Sequence, residues 1–349
     1  MLAGVNALTL DMRQAGGENR YLRMALAKMR EVQPDTQFVV FTDPENHGAF
    51  DGWQRECIDT SAKLGIFGSI ESQLDRAVRR SGIDLLFSSL WAAPLRLSVP
   101  LVLYAFDLRK FEEEYQRDNR RTAPNPKLAK RICTAAAAIV APSEFIQRKF
   151  LELLEIPLNK IVVAPPGVDP AFGQPNNCAI QEPFLLTVGS THAFRNIPRF
   201  RNAFDVLKDE IPHNLVVAGA PGEAEPADWG PRVIRIESCP TTYLAGLYQH
   251  CDVFVQPGIH EGSGITALEA MRAGAPVVTS RTGGVPEVAG DTPIYFNPES
   301  LSSIVASIRW AIEESPERRL SRVKYGRQVA AEYTWERCAW KTLSAFKRT

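Results

Sequence analysis

Two periodicities alternate along this chain. Short apolar runs bounded by Gly, Pro or Asp read as strands, and stretches with apolar residues at i, i+3 and i+4 read as helices. In the first half, residues 4–10, 37–42, 83–88, 100–106, 138–141 and 161–164 are strand-like. The runs at 83–88 and 100–106 are apolar almost throughout, as in strands buried on both faces of a parallel sheet. Helices fall between them. One starts at about Asn19, with Leu22, Ala25, Leu26 and Met29 on one stripe; 70–80 and 126–138 follow, then a helix that Ser143 caps and that runs to Leu154. Residues 43–69 read as irregular, with Pro44, Gly48, Gly52, Gly65 and Gly68 among them.

A stretch at 172–182, with Gly173 and Pro175, reads as a linker, and the alternation begins again behind it. Strands are expected at 184–188, 214–219, 232–236, 252–256 and 276–279. Helices are expected from about Pro198, at 243–250, up to Gly274, along the stripe Leu301, Ile304, Val305, Ile308 and Ile312, at 317–332, and from Thr334 onward. A proline suits the first turn of a helix. Trp335, Ala339, Leu343 and Phe346 share one face of the last helix. This double alternation predicts an α/β fold of two Rossmann-like, doubly wound domains.

Length agrees, since 349 residues exceed one typical core. Lys plus Arg balances Asp plus Glu at 40 each, so nothing in the charge argues for nucleic acid as the partner. The six cysteines are scattered, without CxxC or metal-ligand spacing, and read as reduced thiols of a cytosolic protein. No apolar stretch approaches the length of a membrane span, and the N-terminal residues, with Arg13 among them, do not read as a signal peptide. A basic or amphipathic face could bring the chain to a membrane, but none stands out in the sequence.

Chemistry concentrates in residues 252–280. A strand runs into Pro257-Gly258, then a short loop, Gly262-Ser263-Gly264, then a helix with Leu268 and Met271 on its apolar face. Glu261 precedes the glycines and Glu269 lies inside the helix. From Gly264 to Glu269 a helix rises only about 7.5 Å, so both carboxylates can face one ligand. The amides of Gly262, Ser263 and Gly264 sit at the positive end of the helix and suit an anion. Anion-binding amides beside hydroxyl-binding carboxylates fit a sugar or ribose that carries phosphate. The plainer alternative is a surface Glu and a helical Glu flanking a turn. Gly16-Gly17, between a strand and a helix, could host a phosphate or sugar in the same way, or be only a turn.

The run Glu261-Gly-Ser-Gly-Ile-Thr-Ala-Leu-Glu269-Ala-Met, followed by Gly-Ala-Pro-Val-Val, resembles the Glu-x7-Glu signature of retaining glycosyltransferases of family 4. The likeness continues through Gly283-Gly-Val-Pro-Glu287 and Gly290-Asp-Thr-Pro-Ile-Tyr-Phe-Asn-Pro298. It extends to Gly189-Ser-Thr-His-Ala-Phe-Arg195-Asn196, similar to the family's diphosphate-binding loop, with Arg195 in the place of a lysine. A second basic residue, frequent at the place of Ser190 or Phe194, is absent. Pro165-Pro-Gly-Val-Asp169 resembles an Asn-Gly-Val-Asp turn with Pro166 in the Asn place. Phe106-Asp107-Leu108 stands where many members have His-Asp-Leu, so Phe106 occupies the His place while Asp107 remains. Outside the resemblance, Asp107 would be a helix cap or loop residue and Arg195 a surface charge.

The resemblance implies the GT-B arrangement, two Rossmann-like domains with a cleft between them. Residues 1–172 and the last helix, 334–349, would form the acceptor-side domain, and 183–332 the nucleotide-sugar domain. Glu269 would hold the ribose, while Arg195, Gly189, Gly262, Ser263 and Gly264 would hold the diphosphate. Glu261 would contact the donor sugar. Asp107, Gly16 and Gly17 would line the reacting sugar and the acceptor. The expected activity is retaining transfer of a hexose from a nucleotide-diphosphate sugar to a glycan or lipid-linked sugar, in the cytoplasm or at the inner face of a membrane. Gly-Ile-His-Glu-Gly and Val-Pro-Glu-Val-Ala-Gly-Asp look closest to bacterial mannosyltransferases of polysaccharide assembly, hence a lean to GDP-mannose. No Asp-x-Asp pair is present, so no metal is expected, nor a cofactor besides the donor. Two other readings stay open: a sugar-nucleotide 2-epimerase of the same architecture, and a donor-binding relative without activity.

Overall fold

The computed structural model describes residues 1–8, 17–59, 66–119 and 123–349. The chain divides into two compact units, one of Met1–Pro166 with Trp335–Thr349, the other of Gly167–Thr334. Phe172, at the start of the expected linker, is fully buried and meets Tyr248 edge-on at 5.7 Å in the second unit.

The first unit holds a parallel sheet of strands β1 (Leu2–Asn6), β2 (Gln37–Thr42), β3 (Gln54–Cys57), β4 (Leu85–Ser89), β5 (Leu101–Tyr104), β6 (Ala138–Ala141) and β7 (Ile161–Val163). Their order across the sheet is β3-β2-β1-β4-β5-β6-β7. Helices α1 (Gly17–Val32), α2 (Ile66–Ser81), α3 (Glu113–Asp118), α4 (Pro126–Ala135) and α5 (Glu144–Leu154) connect the strands. Buried residues of α2, α4 and α5 cover one face of the sheet. The other face is covered by α1 and by the last helix of the chain, Trp335–Phe346.

In the second unit, β8 (Phe184–Val188), β9 (Asn214–Ala218), β10 (Val233–Ile236), β11 (Val253–Gln256), β12 (Val277–Ser280) and β13 (Ile294–Phe296) form a parallel sheet ordered β10-β9-β8-β11-β12-β13. Its helices are α6 (Ile197–Leu207), α7 (Thr241–His250), α8 (Ile265–Ala273), α9 (Val285–Ala289), α10 (Leu301–Glu313) and α11 (Pro316–Ala331), so the last helix of the chain is α12. One face packs under α7, α8, α9 and α11, the other under α6 and α10. Both units are therefore α/β, doubly wound and wholly parallel. Each sheet reverses its strand order once at its first strand, between β1 and β4 and between β8 and β11. Ligands in such sheets bind outside the carboxyl ends of the strands at that reversal.

The expected elements form with a few shifts. β1 spans Leu2–Asn6, whereas the expected strand began at Gly4 and ran on to Leu10, whose last two residues lie outside the described ones. The 43–69 stretch is not irregular throughout: it contributes β3, and α2 begins at Ile66. β3 escapes an apolar pattern because Gln54, Arg55 and Glu56 sit at a sheet edge, where side chains stay part-solvated. Ser143 caps α5 as its sequence promises, its hydroxyl accepting from the Ile146 N–H at 3.1 Å. None of the six cysteines is in a disulfide.

Candidate active site

The second unit's reversal point is built by two loops. The one after β8 begins at Gly189, makes a 3-10 turn at Ala193–Arg195 and ends at Asn196, which takes a left-handed conformation (φ 56°). Asn196 is buried, and its side-chain amide donates to the carbonyls of Pro257 (3.1 Å) and Pro298 (2.9 Å). The Ile259 N–H donates to the Phe194 carbonyl at 2.9 Å. These bonds tie the loop after β8 to the loop after β11 and bring Arg195 against Glu261, whose carboxylate accepts from the guanidinium. Glu261 is buried, while Arg195 keeps about a quarter of its side chain in solvent. A buried carboxylate needs such a partner, because an unpaired one would cost several kcal/mol in desolvation.

The backbone beneath Glu261 is equally constrained. Its carbonyl accepts from the Gly284 N–H at 2.8 Å. A side chain at Gly283 (φ +61°) would put its Cβ 1.8 Å from that carbonyl oxygen, so no other residue fits without moving Glu261. The Gly258 carbonyl accepts from the hydroxyls of Ser280 (2.5 Å) and Thr282 (3.1 Å). α8 then starts at Ile265 after Gly264, which is left-handed (φ +68°) and abuts Val288 and Val285. Gly262, Ser263 and Gly264 thus directly precede the helix N-terminus. Glu269 is the middle residue of α8 and is buried. So the structure gathers Gly189, Arg195, Glu261, Gly262, Ser263 and Gly264 around the carboxyl ends of β8 and β11, with Glu269 further along the helix that starts there.

Beside Arg195, the rings of His192 and Phe194 stack at 5.8 Å and 14°. His192 also meets the Glu223 carboxylate, and this hydrogen bond above all brings the Glu223 pKa down to about 2. Thr191, Trp229 and Arg235 converge on Glu225, holding its carboxyl below the usual range, with Arg235 as the largest cause.

The first unit has its own cluster at the matching place. Asn6, at the end of β1, donates to the Ser88 hydroxyl (3.0 Å) and the Ala92 carbonyl (2.9 Å), which fixes the turn after β4. Glu18, in the first turn of α1, takes hydrogen bonds from Ser89 at 3.4 Å, the Phe106 N–H and Trp91. Burial nevertheless raises the Glu18 pKa, and the nearby Asp107 charge adds to the rise. Asp107 accepts from the Arg109 N–H at 2.7 Å and pairs with its guanidinium at 3.3 Å. Phe106 is part-buried against Tyr21, with ring centroids 4.5 Å apart, so an aromatic packing contact stands in the His place. Gly17 is the exposed first residue of α1, and Gly16 lies outside the described residues. Sequence reasoning missed Glu18, whose only signal is its position directly after the glycine pair. It also gave no role to Asn196, whose signal is an Asn where the backbone must turn left-handed.

Solved structures share this architecture over the full chain. Sucrose-phosphate synthase from Thermosynechococcus elongatus superposes with a TM-score of 0.79 at 18% identity, covering 99% of this chain and 98% of that one. WaaG, a glycosyltransferase involved in lipopolysaccharide biosynthesis, superposes with a TM-score of 0.74 at 17% identity, covering both chains completely. HepE of Anabaena, solved with UDP and glucose, gives 0.76 at 15% identity over 100% of both chains. The fold is therefore GT-B.

Residues 16–172 match the family Glycosyltransferase Family 4, and residues 173–329 match Glycosyl transferases group 1. The chain belongs to glycosyltransferase family 4, a family of retaining hexosyltransferases. Among curated relatives, O-antigen chain mannosyltransferase B of Escherichia coli is 26% identical over 233 residues, 61% of this chain and 61% of that protein. The serotype-specific mannosyltransferase WbdA of Escherichia coli is 26% identical over 243 residues, 61% of this chain and 29% of that protein. The chain thus spans less than two thirds of these relatives.

Proposed function

We propose that this protein moves a hexose, with retention of configuration, from a nucleotide-diphosphate sugar to a hydroxyl of a glycan or lipid-linked sugar. The observation that carries the reading is the joined loop pair after β8 and β11, with Arg195 against Glu261 beside the N-terminus of α8. In this reading residues 183–332 bind the donor. The Glu269 carboxylate accepts from the ribose hydroxyls. Arg195 and the amides at Gly189 and Gly262–Gly264 take the diphosphate, and their positive potential stabilises the charge that builds on it as it leaves. The guanidinium must then share itself between Glu261 and the phosphate, and a planar fork can do so. Glu261 contacts the donor sugar.

Residues 1–172 with 334–349 take the acceptor side. Asp107 and the Gly16–Gly17 turn line it. The lean to mannose, with GDP-mannose as donor and polysaccharide assembly as the setting, rests on likeness to the O-antigen mannosyltransferases. A lipid-linked acceptor brings the protein to the inner, cytoplasmic face of a membrane. Among the described residues no helix is long and apolar enough to cross one, so such contact is peripheral.

Phe106 favours a second reading, a relative that binds the donor without transferring it. Release of nucleotide from GDP-mannose and UDP-glucose, with water or added mannosides as acceptor, tests both. Steady release that Glu261→Gln lowers by about 100-fold supports the transferase. Nucleotide binding without release in the parent supports the inactive relative.

A further inference from the structure

The two ends of the described chain meet on one face of the first unit. α1 and α12 lie side by side and antiparallel: the Tyr21 hydroxyl meets Thr342 at 2.9 Å, and Lys28 meets Glu336 at 3.0 Å. The buried side of α12 carries Trp335, Cys338, Ala339, Thr342, Leu343 and Phe346. Its solvent side carries Arg337, Trp340 and Ser344, with half-buried Lys341 at its margin and exposed Lys347 directly after the helix. Arg23 of α1 is exposed on the same side of the pair.

This face has an excess of cations although the whole chain is neutral. The carboxylates of the two helices already have partners. Glu31 (2.6 Å) and Glu336 (3.0 Å) both bind Lys28, and Glu18 turns inward to Ser89. Among the described residues no ion partner is found for Arg23, Lys341 or Lys347. Amid these charges stands Trp340, 52% exposed. An indole gains little in water and much at a bilayer interface, where its ring is apolar and its N–H stays wet.

We infer that the α1–α12 face docks on an anionic lipid surface, with Trp340 entering the headgroup layer and Arg23, Lys341 and Lys347 meeting lipid phosphates. Charge complementarity selects this occupant. A second copy of the chain would bring the same positive face and be repelled. The inference names the face behind the membrane contact in the proposed function, but it rests on surface charge and does not require the donor reading. The contact lies in the membrane plane, as for an interfacial helix.

The test is co-sedimentation of the full chain with vesicles of phosphatidylcholine alone and of phosphatidylcholine with about 30% phosphatidylglycerol, at about 0.1 M salt. The parent should bind the anionic vesicles at least tenfold better than the neutral ones, and less as salt rises. Trp340→Ser and the double variant Lys341→Glu with Lys347→Glu should each weaken binding about tenfold or more. Trp340 and Lys347 are exposed and Lys341 is only half-buried, so the variants should melt close to the parent. Equal binding by parent and variants would overturn the inference, as would no binding to anionic vesicles. Stronger binding to a short DNA duplex than to vesicles, or self-association through this face, would overturn it too. A nucleotide-induced rise in melting temperature, read on the same samples, reports on the donor site separately.

Discussion

The two units repeat one winding and differ at the same place. Their six leading strands follow the same order, with β3-β2-β1-β4-β5-β6 in the first unit and β10-β9-β8-β11-β12-β13 in the second. At the reversal point of the second, two loops are bonded to one another, and a cation and helix-terminal amides are gathered there. At that of the first stand two carboxylates, Glu18 and Asp107, with the aromatic rings of Trp91 and Phe106. The wound sheet supplies the location and the loops supply the chemistry. In the proposed function the second unit's end takes the diphosphate and the first unit's end the hydroxyls of a sugar.

A pair of glycine substitutions should break this comparison most visibly. Gly283→Ala forces a left-handed alanine into the Glu261 carbonyl and should cost about 3 kcal/mol in urea unfolding. Gly17→Ala, at the first residue of α1 behind the first unit's reversal strand, meets open space and should change stability by no more than about 0.5 kcal/mol. Equal costs would contradict the close approach of Gly283 to the Glu261 carbonyl.

A smaller effect should sharpen the contrast. The fold raises the Glu18 pKa, chiefly by burial, so the folded protein holds that proton more tightly than the unfolded chain. Stability contributed by Glu18 is therefore present below its ordinary range and is lost as pH rises through the raised value. Glu18→Gln removes that loss. The variant should gain on the parent by about 1–3 °C in Tm between about pH 4 and pH 7, read by thermal melting. A difference independent of pH would contradict the origin assigned to the shift. Nucleotide binding should be unchanged by Glu18→Gln, because the proposed function puts the nucleotide on the second unit.

The parallel winding was legible because buried strands and amphipathic helices leave opposite periodicities, as in β5 and α10. Edge strand β3 was not, since its polar side chains carry no such period. Within the site, Arg195, Glu261 and the Gly262–Gly264 loop were legible because they lie on two contiguous motifs. The contact between Arg195 and Glu261 was not, because it joins residues 66 positions apart through Asn196. The cationic α1–α12 face was invisible for the same reason. Neither helix is decisively basic by itself, and the face exists only where the first helix meets the last.

The central claim is that Arg195 and the α8 N-terminus form a nucleotide-diphosphate site. The most direct test is calorimetric titration of GDP, UDP, dTDP and ADP into the parent and into Arg195→Ala. The account predicts that one of the four binds the parent, and that at 100 times its dissociation constant it stabilises the fold by about 2.7 kcal/mol. Arg195→Ala should bind that nucleotide at least tenfold more weakly. Equal affinity in parent and variant, or no binding by any of the four, would contradict it.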